Sequence, residues 1–342
     1  MNSHSQRKRD HVAICLQDDI EHYSGNGFDY YQFVHIALPE INFQEISLAT
    51  KFLGHEIGSP LFISGMTGGF EDAENINAAF AEVCQELNIP MVLGSQRSMM
   101  LDQSQDSSFS IVRSHAPDIC LSANIGATEI ADLRNHASIL RVIDRAKANI
   151  LTVHANPLQE LFQPEGNTNF SGVLKGLASF RALTDIPIIV KEVGSGISYT
   201  VAKALIEIGI NAIDVAGKGG TSWSAVEMKR NEHEFSEYFR EWGMTTSDCL
   251  ISLRTLCEEH SVELYSSGGI RSAHDIAMSI ALGADSVGMA RPILIAYHSN
   301  GAEGVFNMIQ CLIKDVRRIM FLTGSNSCSE LKNAEIVKIQ RN

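Results

Sequence analysis

Eight short apolar runs recur along the chain, and each closes on glycine or small polar residues. They are LFISGM (61–66), PMVLGS (90–95), ICLSANIG (119–126), ILTVHAN (150–156), IPIIVKEVG (186–194), NAIDVAG (211–217), ELYSSGG (263–269) and ADSVGMA (284–290). Near-continuous apolar character, rather than strict alternation, suits parallel strands covered on both faces. Helical patterns lie between the runs, among them AENINAAFAEVCQELN, ASILRVIDRAKA and AHDIAMSIALG. Several of them end at glycine or just before proline, as helices do. Strand and helix alternating eight times predicts an α/β chain folded as a (β/α)8 TIM barrel. A doubly wound sheet is the competing architecture, weakened by the absence of G-x-G-x-x-G after the first run. One interval is long: SAVEMKRNEHEFSEYFREWGMTTS, acidic and aromatic, reads as an insertion after strand six. Residues 1–55 form an N-terminal extension, and GVFNMIQCLIKDVRRIMFLTG reads as a closing helix. A single domain over residues 1–342 is expected.

Charge and cysteine usage narrow the function. A formal net charge of -13 argues against a nucleic-acid partner. No window approaches the ~18 continuous apolar residues of a membrane span, and the basic N-terminus lacks the apolar stretch of a signal peptide. The seven cysteines are scattered without C-x-x-C spacing, which predicts reduced core thiols and a cytoplasmic protein. Within this acidic chain Arg7, Lys8, Arg9 and His11 form a cationic island. It is either a solvated, frayed tail or an arm that closes over an anionic substrate.

In a barrel of this kind chemistry gathers at the C-terminal ends of the strands, so each strand-end segment becomes one wall of a single site. SGGIR (267–271) and GMARP (288–292) follow strands seven and eight, where loop amides and a helix N-terminus commonly hold a phosphate. Tight turns alone are the plainer account of those glycines. Lys191, in IVKEVG, is either a snorkelling lysine or a cation beside a developing negative charge. A Schiff-base role would want an apolar pocket, and Glu192 follows it directly. HANPLQE (154–160) crowds His154, Asn156, Gln159 and Glu160 at a strand mouth without a Ser, Cys or Lys nucleophile. A polar pair at a helix start after Pro157 is the plainer account there.

With these walls assembled, the sequence resembles the type 2, FMN-dependent isopentenyl diphosphate isomerases. The resemblance is carried over almost the whole chain by RKRDH, MTGG, GSQR, NPLQE followed by FQPEG, VKEVGSGIS, GKGGTSW, SGGIR and IALGADSVGMA. It implies a homo-oligomer, tetramer or octamer, that acts on a small prenyl diphosphate with FMN, Mg2+ and NADPH or NADH as flavin reductant. By the same resemblance Arg7, Lys8 and His11 belong to the diphosphate-binding arm. Ser95, Gln96 and Arg97 match the substrate segment, and Ser95 also approaches the flavin. Gly65, Met66, Thr67, Asn124, Lys191 and Thr221 match flavin contacts, while Gly268, Gly269, Ala290 and Arg291 fall where the FMN phosphate is held. His154 and Asn156 match the substrate pocket, Gln159 the catalytic amide beside the reacting carbons, and Glu160 the Mg2+ ligand. Ala155 and Arg291 depart from the commoner family pattern, which has a larger apolar and an apolar residue there.

The resemblance also accounts for the missing nucleophile in HANPLQE. Shifting a double bond needs a proton delivered to an unactivated alkene and another removed from a neighbouring carbon, work assigned to reduced FMN in this family. Two other classes remain to be weighed. An FMN-dependent 2-hydroxyacid oxidase would need a histidine base at the late strand end, where YSSGGIR has none. A non-catalytic flavin- or phosphate-binding barrel would not need the Gln159–Glu160 pair.

Overall fold

The computed structural model describes residues 3–16, 19–70, 72–101, 106–231 and 237–339. Eight strands form a closed barrel: β1 (Leu61–Ile63), β2 (Met91–Val92), β3 (Leu121–Gly126), β4 (Ile150–His154), β5 (Ile188–Lys191), β6 (Ala212–Asp214), β7 (Glu263–Ser266) and β8 (Ser286–Met289). Every neighbouring pair is parallel. The ring closes where β8 meets β1, with Val287, Gly288 and Met289 opposite Leu61, Phe62 and Ile63. Each of the eight apolar runs contains one strand, and the expected helices lie between them, including Ala73–Leu87, His136–Ala146 and Ala273–Ala281.

Strand period decides what faces the barrel interior, because successive side chains point to opposite faces. Phe62, Val92, Ile150, Ile189, Ala212 and Tyr265 join one apolar cluster with Phe52 and Ile57, distinct from the main core under the helices. Phe52 and Ile57 come from a two-stranded ribbon (Thr50–Phe52 with His55–Ile57), and Phe52 stacks on Tyr265 at 4.6 Å between ring centroids. The ribbon therefore plugs the N-terminal end of the barrel. Glu263 ties it down by accepting from the Leu53 backbone N–H at 3.0 Å. Two residues further along the strands the interior turns polar: Ser122 and Thr152 share a hydrogen bond of 2.7 Å. Two residues further still stand Asn124, His154 and Lys191. The polar interruptions in LSANIG and ILTVHAN are inward positions of one period.

The long interval after β6 holds two helices, Trp223–Asn231 and Glu237–Arg240. With the N-terminal helix Ser3–Cys15 and the short helix Pro157–Phe162, the first of these covers the C-terminal mouth of the barrel. The closing helix is longer than the sequence pattern suggested. It runs Arg291–Leu322 and is broken at Asn300 and Gly301, where Gly301 has φ 60° and ψ -150°. Two helical patterns meet there, and glycine tolerates the break. Six of the seven cysteines are buried and Cys311 is exposed. Among the described residues no helix is long and apolar enough to cross a membrane.

Candidate active site

The polar upper layer of the barrel is built by hydrogen bonds that orient one another. Asn124 Nδ2 donates to the Leu93 carbonyl at 2.8 Å, which leaves Oδ1 to accept from His154 Nδ1 at 2.8 Å. The His154 proton therefore sits on Nδ1. Burial, helped by the nearby charge of Lys191, pushes the His154 pKa down to about 3 and keeps the ring neutral. Gln96 is fully buried, and its amide is spent inside the wall, accepting from Asn124 N at 2.9 Å and approaching Met99 Sδ with Nε2 at 2.9 Å.

Lys191 is buried at the end of β5, and Nζ donates to the Glu192 carbonyl at 2.5 Å. The Glu192 carboxylate is engaged elsewhere: Oε2 accepts from the backbone N–H groups of Val193, Gly194 and Ser195 at 2.6, 2.7 and 2.5 Å. It thus anchors the loop after β5. Asp214, also buried, accepts from Ser267 Oγ at 2.6 Å, and burial raises its carboxyl above the usual range.

Above this layer lies a cavity of about 1170 Å3, its open mouth included. Gly65, Met66 and Thr67 after β1, Lys191 at the end of β5 and Thr221 after β6 line it. Gly268 and Gly269 after β7 line it too, with Ala290 and Arg291 after β8. Gly268 and Gly269 have φ 97° and 77°, a left-handed backbone that suits glycine, so the turn itself demands them. The helix after this turn starts in a capping box between Ser272 and Asp275. Two buried hydroxyls on the wall, Ser64 Oγ and Thr67 Oγ1, have no hydrogen-bond partner among the described residues. Unpaired buried hydroxyls, a lysine, and glycine loops at the β7–β8 end together fit a polar ring with a phosphate tail.

The N-terminal segment is an ordered helix rather than a loose tail. Lys8, His11, Val12 and Cys15 all line the cavity, and their i, i+3, i+4, i+7 spacing is one helical face. Lys8 Nζ donates to the carbonyl of Ser95 at 3.0 Å and to that of Gly68. His11 Nε2 lies 2.8 Å from Glu227 Oε1 and meets Trp223 edge to face. The C-terminal end of the helix is latched to the barrel. Arg291 Nε donates to the Cys15 carbonyl at 2.7 Å and pairs with Glu21, whose other oxygen holds Arg271 at 2.7 Å. The guanidinium of Arg291 is thus engaged with the arm rather than standing alone beside the glycine loops.

The remaining predicted residues form a polar rim beside the cavity. Asn156 Nδ2 donates to Gln159 Oε1 at 3.0 Å and to Glu160 Oε1 at 3.1 Å, so one amide orients both of the polar side chains that close HANPLQE. Glu160 Oε2 also accepts from Asn167 N at 2.5 Å, and Gln159 Nε2 reaches Glu227 Oε1 at 3.4 Å. Gln163 links this rim to the arm: its Nε2 donates to Glu227 Oε1 at 3.2 Å and its oxygen accepts from Arg7 Nη1 at 2.9 Å. Arg97 pairs through Nε with Glu129 at 3.2 Å. Among the described residues no group of three or more His, Cys, Asp or Glu could cage a metal. Glu160 offers a hard carboxylate oxygen, which fits a Mg2+ ion whose other ligands come from outside the protein.

A family model described as FMN-dependent dehydrogenase matches residues 166–338. A protein of Pelodictyon phaeoclathratiforme named isopentenyl-diphosphate delta-isomerase is 41% identical, with 97% of each chain covered. Its namesake in Chlorobaculum parvum is 43% identical over 98% of this chain and 97% of that one. The chain belongs to the type 2, FMN-dependent isopentenyl-diphosphate delta-isomerase family. Solved structures share the fold at low identity. A mandelate oxidase superposes with TM-score 0.66 at 16% identity over 97% of this chain and 92% of that one. A flavocytochrome b2 variant gives 0.72 at 18% over 96% and 82%.

In this isopentenyl-diphosphate delta-isomerase family member, sequence reasoning passed over Glu227. Its side chain is fully buried, and it gathers His11, Gln159, Gln163 and Arg230, the last at 2.7 Å. Burial opposes its ionisation, but the hydrogen bonds and charges of His11 and Arg230 win and hold the carboxyl below the usual range. The signal was faint: Glu227 lies four residues after Trp223, on the same face of a helix within a segment that reads as an insertion.

Proposed function

We propose that the chain interconverts isopentenyl and dimethylallyl diphosphate, a 1,3-allylic isomerisation of isoprenoid biosynthesis, acting as one FMN-binding barrel domain over residues 1–342. The observation that carries this reading is the arm. It brings Lys8 and His11 from the N-terminus into the same cavity as Lys191 and the glycine loops after β7 and β8. A flavin-only barrel has no need of such a basic cover, whereas an enzyme that must hold a diphosphate over its flavin does.

Reduced FMN, when bound, supplies the proton donor and acceptor that side chains of ordinary pKa lack for an unactivated alkene. Gly65, Met66, Thr67, Thr221 and Lys191 would hold its ring, with Lys191 stabilising the anionic form. Gly268, Gly269 and Ala290 would hold its phosphate, with Arg291 closing the arm above them. Gln159 is held by Asn156 on one side and Glu227 on the other. As a neutral amide it can hydrogen-bond beside a tertiary cation without quenching it. Glu160 would hold Mg2+ through a hard carboxylate oxygen, and the metal would supply positive charge against the substrate's diphosphate. Arg7, Lys8 and Arg97 take the anionic end of the substrate, while Asn156 and neutral His154, whose Nε2 can only accept, line the substrate pocket with Ser95 and Gln96 building the wall beside it. The covered mouth excludes water that would capture the cation.

NADPH or NADH serves only to reduce the flavin before turnover, and the protein works in the cytoplasm as a homo-oligomer, tetramer or octamer. The test is anaerobic turnover of isopentenyl diphosphate with FMN, Mg2+ and reductant each omitted in turn. Dimethylallyl diphosphate forms only when all three are present. Full turnover without flavin would sink the reading.

A further inference from the structure

Glu129 has no part in the reading above, yet it stands among the residues that do. It lies in the first turn of the short helix Ala127–Ala131, directly after β3, and its side chain is 11% exposed. The strand end is shaped around it. Gly126 has no Cβ; one built there would overlap Glu129 Oε2 and stand 3.5 Å from His154 Nε2. The carboxylate therefore occupies the space over Gly126 beside the His154 ring. Its other oxygen, Oε1, pairs with Arg97 Nε at 3.2 Å.

Arg97 needs that partner. Arg7 lies close enough for both Arg97 and Arg230 to act on it as like charges. Arg230 has its own carboxylates, Glu227 and Glu165. Arg97 is about a third exposed, so without a counter-charge repulsion from Arg7 would favour rotamers that swing it into solvent. The pairing uses Nε rather than the terminal amino groups. This ion contact draws the guanidinium toward Glu129 and leaves the Nη edge as the fork that suits two phosphate oxygens. A plain helix-dipole role for Glu129 would account for an acidic residue in the first turn. It would not require the Gly126 clearance or the partner on the end of the neighbouring strand.

We propose that Glu129 is a positioning residue for diphosphate recognition, holding Arg97 turned into the rim so that its Nη edge meets the anionic end of the substrate. The inference rests on the placement of Arg97 at the diphosphate end of the proposed substrate. Burial raises the Glu129 carboxyl, Arg97 lowers it and the charge of Glu160 raises it again, which places all three groups around one patch.

The test uses FMN-loaded Glu129→Gln, which keeps the size of the side chain and removes its charge. KM for isopentenyl diphosphate rises about tenfold while kcat stays within about twofold, below the full worth of a buried charge-assisted contact because Arg97 is part-exposed. Affinity for inorganic pyrophosphate, measured by calorimetry, falls by the same factor. In an Arg97→Met background the substitution has no further effect, since the group it positions is gone. Unchanged or improved KM and pyrophosphate affinity in Glu129→Gln would overturn the inference. So would an equal loss that persists in the Arg97→Met background. A wild type that binds pyrophosphate in this Glu129-dependent way but never isomerises the prenyl diphosphate would overturn the activity and leave the positioning role standing.

Discussion

Lys8 Nζ donates to the Ser95 carbonyl at 3.0 Å, joining the N-terminal helix to the end of β2 across 87 residues of chain. The Gly68 carbonyl is its second acceptor. Among the described residues no carboxylate pairs with this amine, and burial, with the charge of Arg7, pushes its pKa down to about 7. An ammonium held by two carbonyls is ready to meet an anion.

That arrangement predicts a proton linkage. A bound diphosphate favours the charged amine and raises its pKa, so at pH 8 the empty site holds Lys8 largely neutral and the complex holds it protonated. Binding of inorganic pyrophosphate at pH 8 therefore takes up about one proton more in the wild type than in Lys8→Met. Calorimetry in two buffers of different ionisation heat measures the difference. Equal proton uptake by the two proteins would show that Lys8 does not face the anion.

Gln159 and Glu160 share the amide of Asn156, and they separate by response to metal. Glu160→Gln loses the charge that binds Mg2+, and high Mg2+ restores part of the activity. Gln159→Leu leaves FMN and diphosphate binding nearly intact while kcat falls roughly 10²–10⁴-fold, the range of a positioned proton-transfer group. Excess Mg2+ does not rescue it. Near-normal kcat in Gln159→Leu, or the same Mg2+ response in both variants, would remove the division of labour.

The barrel was legible in the sequence because its signal is repeated: eight apolar runs, each containing one strand. Lys191, His154 and Asn124 were legible as polar residues that close such runs, and strand period carries all three inward. What could not be read was how the covering elements meet. Glu227 and Trp223 lie in a segment whose composition suggests a solvated insertion, and only its packing against the N-terminal helix makes it a wall. Arg7, Lys8 and His11 could be read equally as a frayed tail. The deciding fact is long-range: Arg291, at the far end of the barrel sequence, donates to the Cys15 carbonyl. No local pattern encodes a contact of that kind. Gln96 is the converse case, a polar residue in a substrate segment whose amide is wholly used inside the wall.

Lys191 is buried at the inward end of β5 and lines the cavity, and the proposed function sets its charge beside the flavin ring. Lys191→Ala weakens FMN binding and makes the bound flavin harder to reduce, because the anionic reduced ring loses its stabilising charge. Spectroscopic titration against a redox dye reads both effects. An unchanged potential together with full activity would place Lys191 outside the flavin site.

Arg291 predicts a mechanical effect. Arg291→Leu removes the donor to the Cys15 carbonyl and the pairing with Glu21. A charge-assisted contact is worth roughly 1.5–3 kcal/mol, so local opening of the N-terminal helix grows roughly tenfold or more. Limited proteolysis then cleaves the arm faster, while the glycine loops after β7 and β8 still retain FMN. Wild-type cleavage rates would mean that the latch contributes nothing.

The most direct measurement of the central claim is the ratio of product formed to reductant consumed. Isopentenyl diphosphate is supplied anaerobically to FMN- and Mg2+-loaded protein with a small, counted amount of NADPH. Because the isomerisation carries no net change of oxidation state, many molecules of dimethylallyl diphosphate form for each NADPH oxidised. One product per NADPH, or flavin reduction with no dimethylallyl diphosphate at all, would contradict the account.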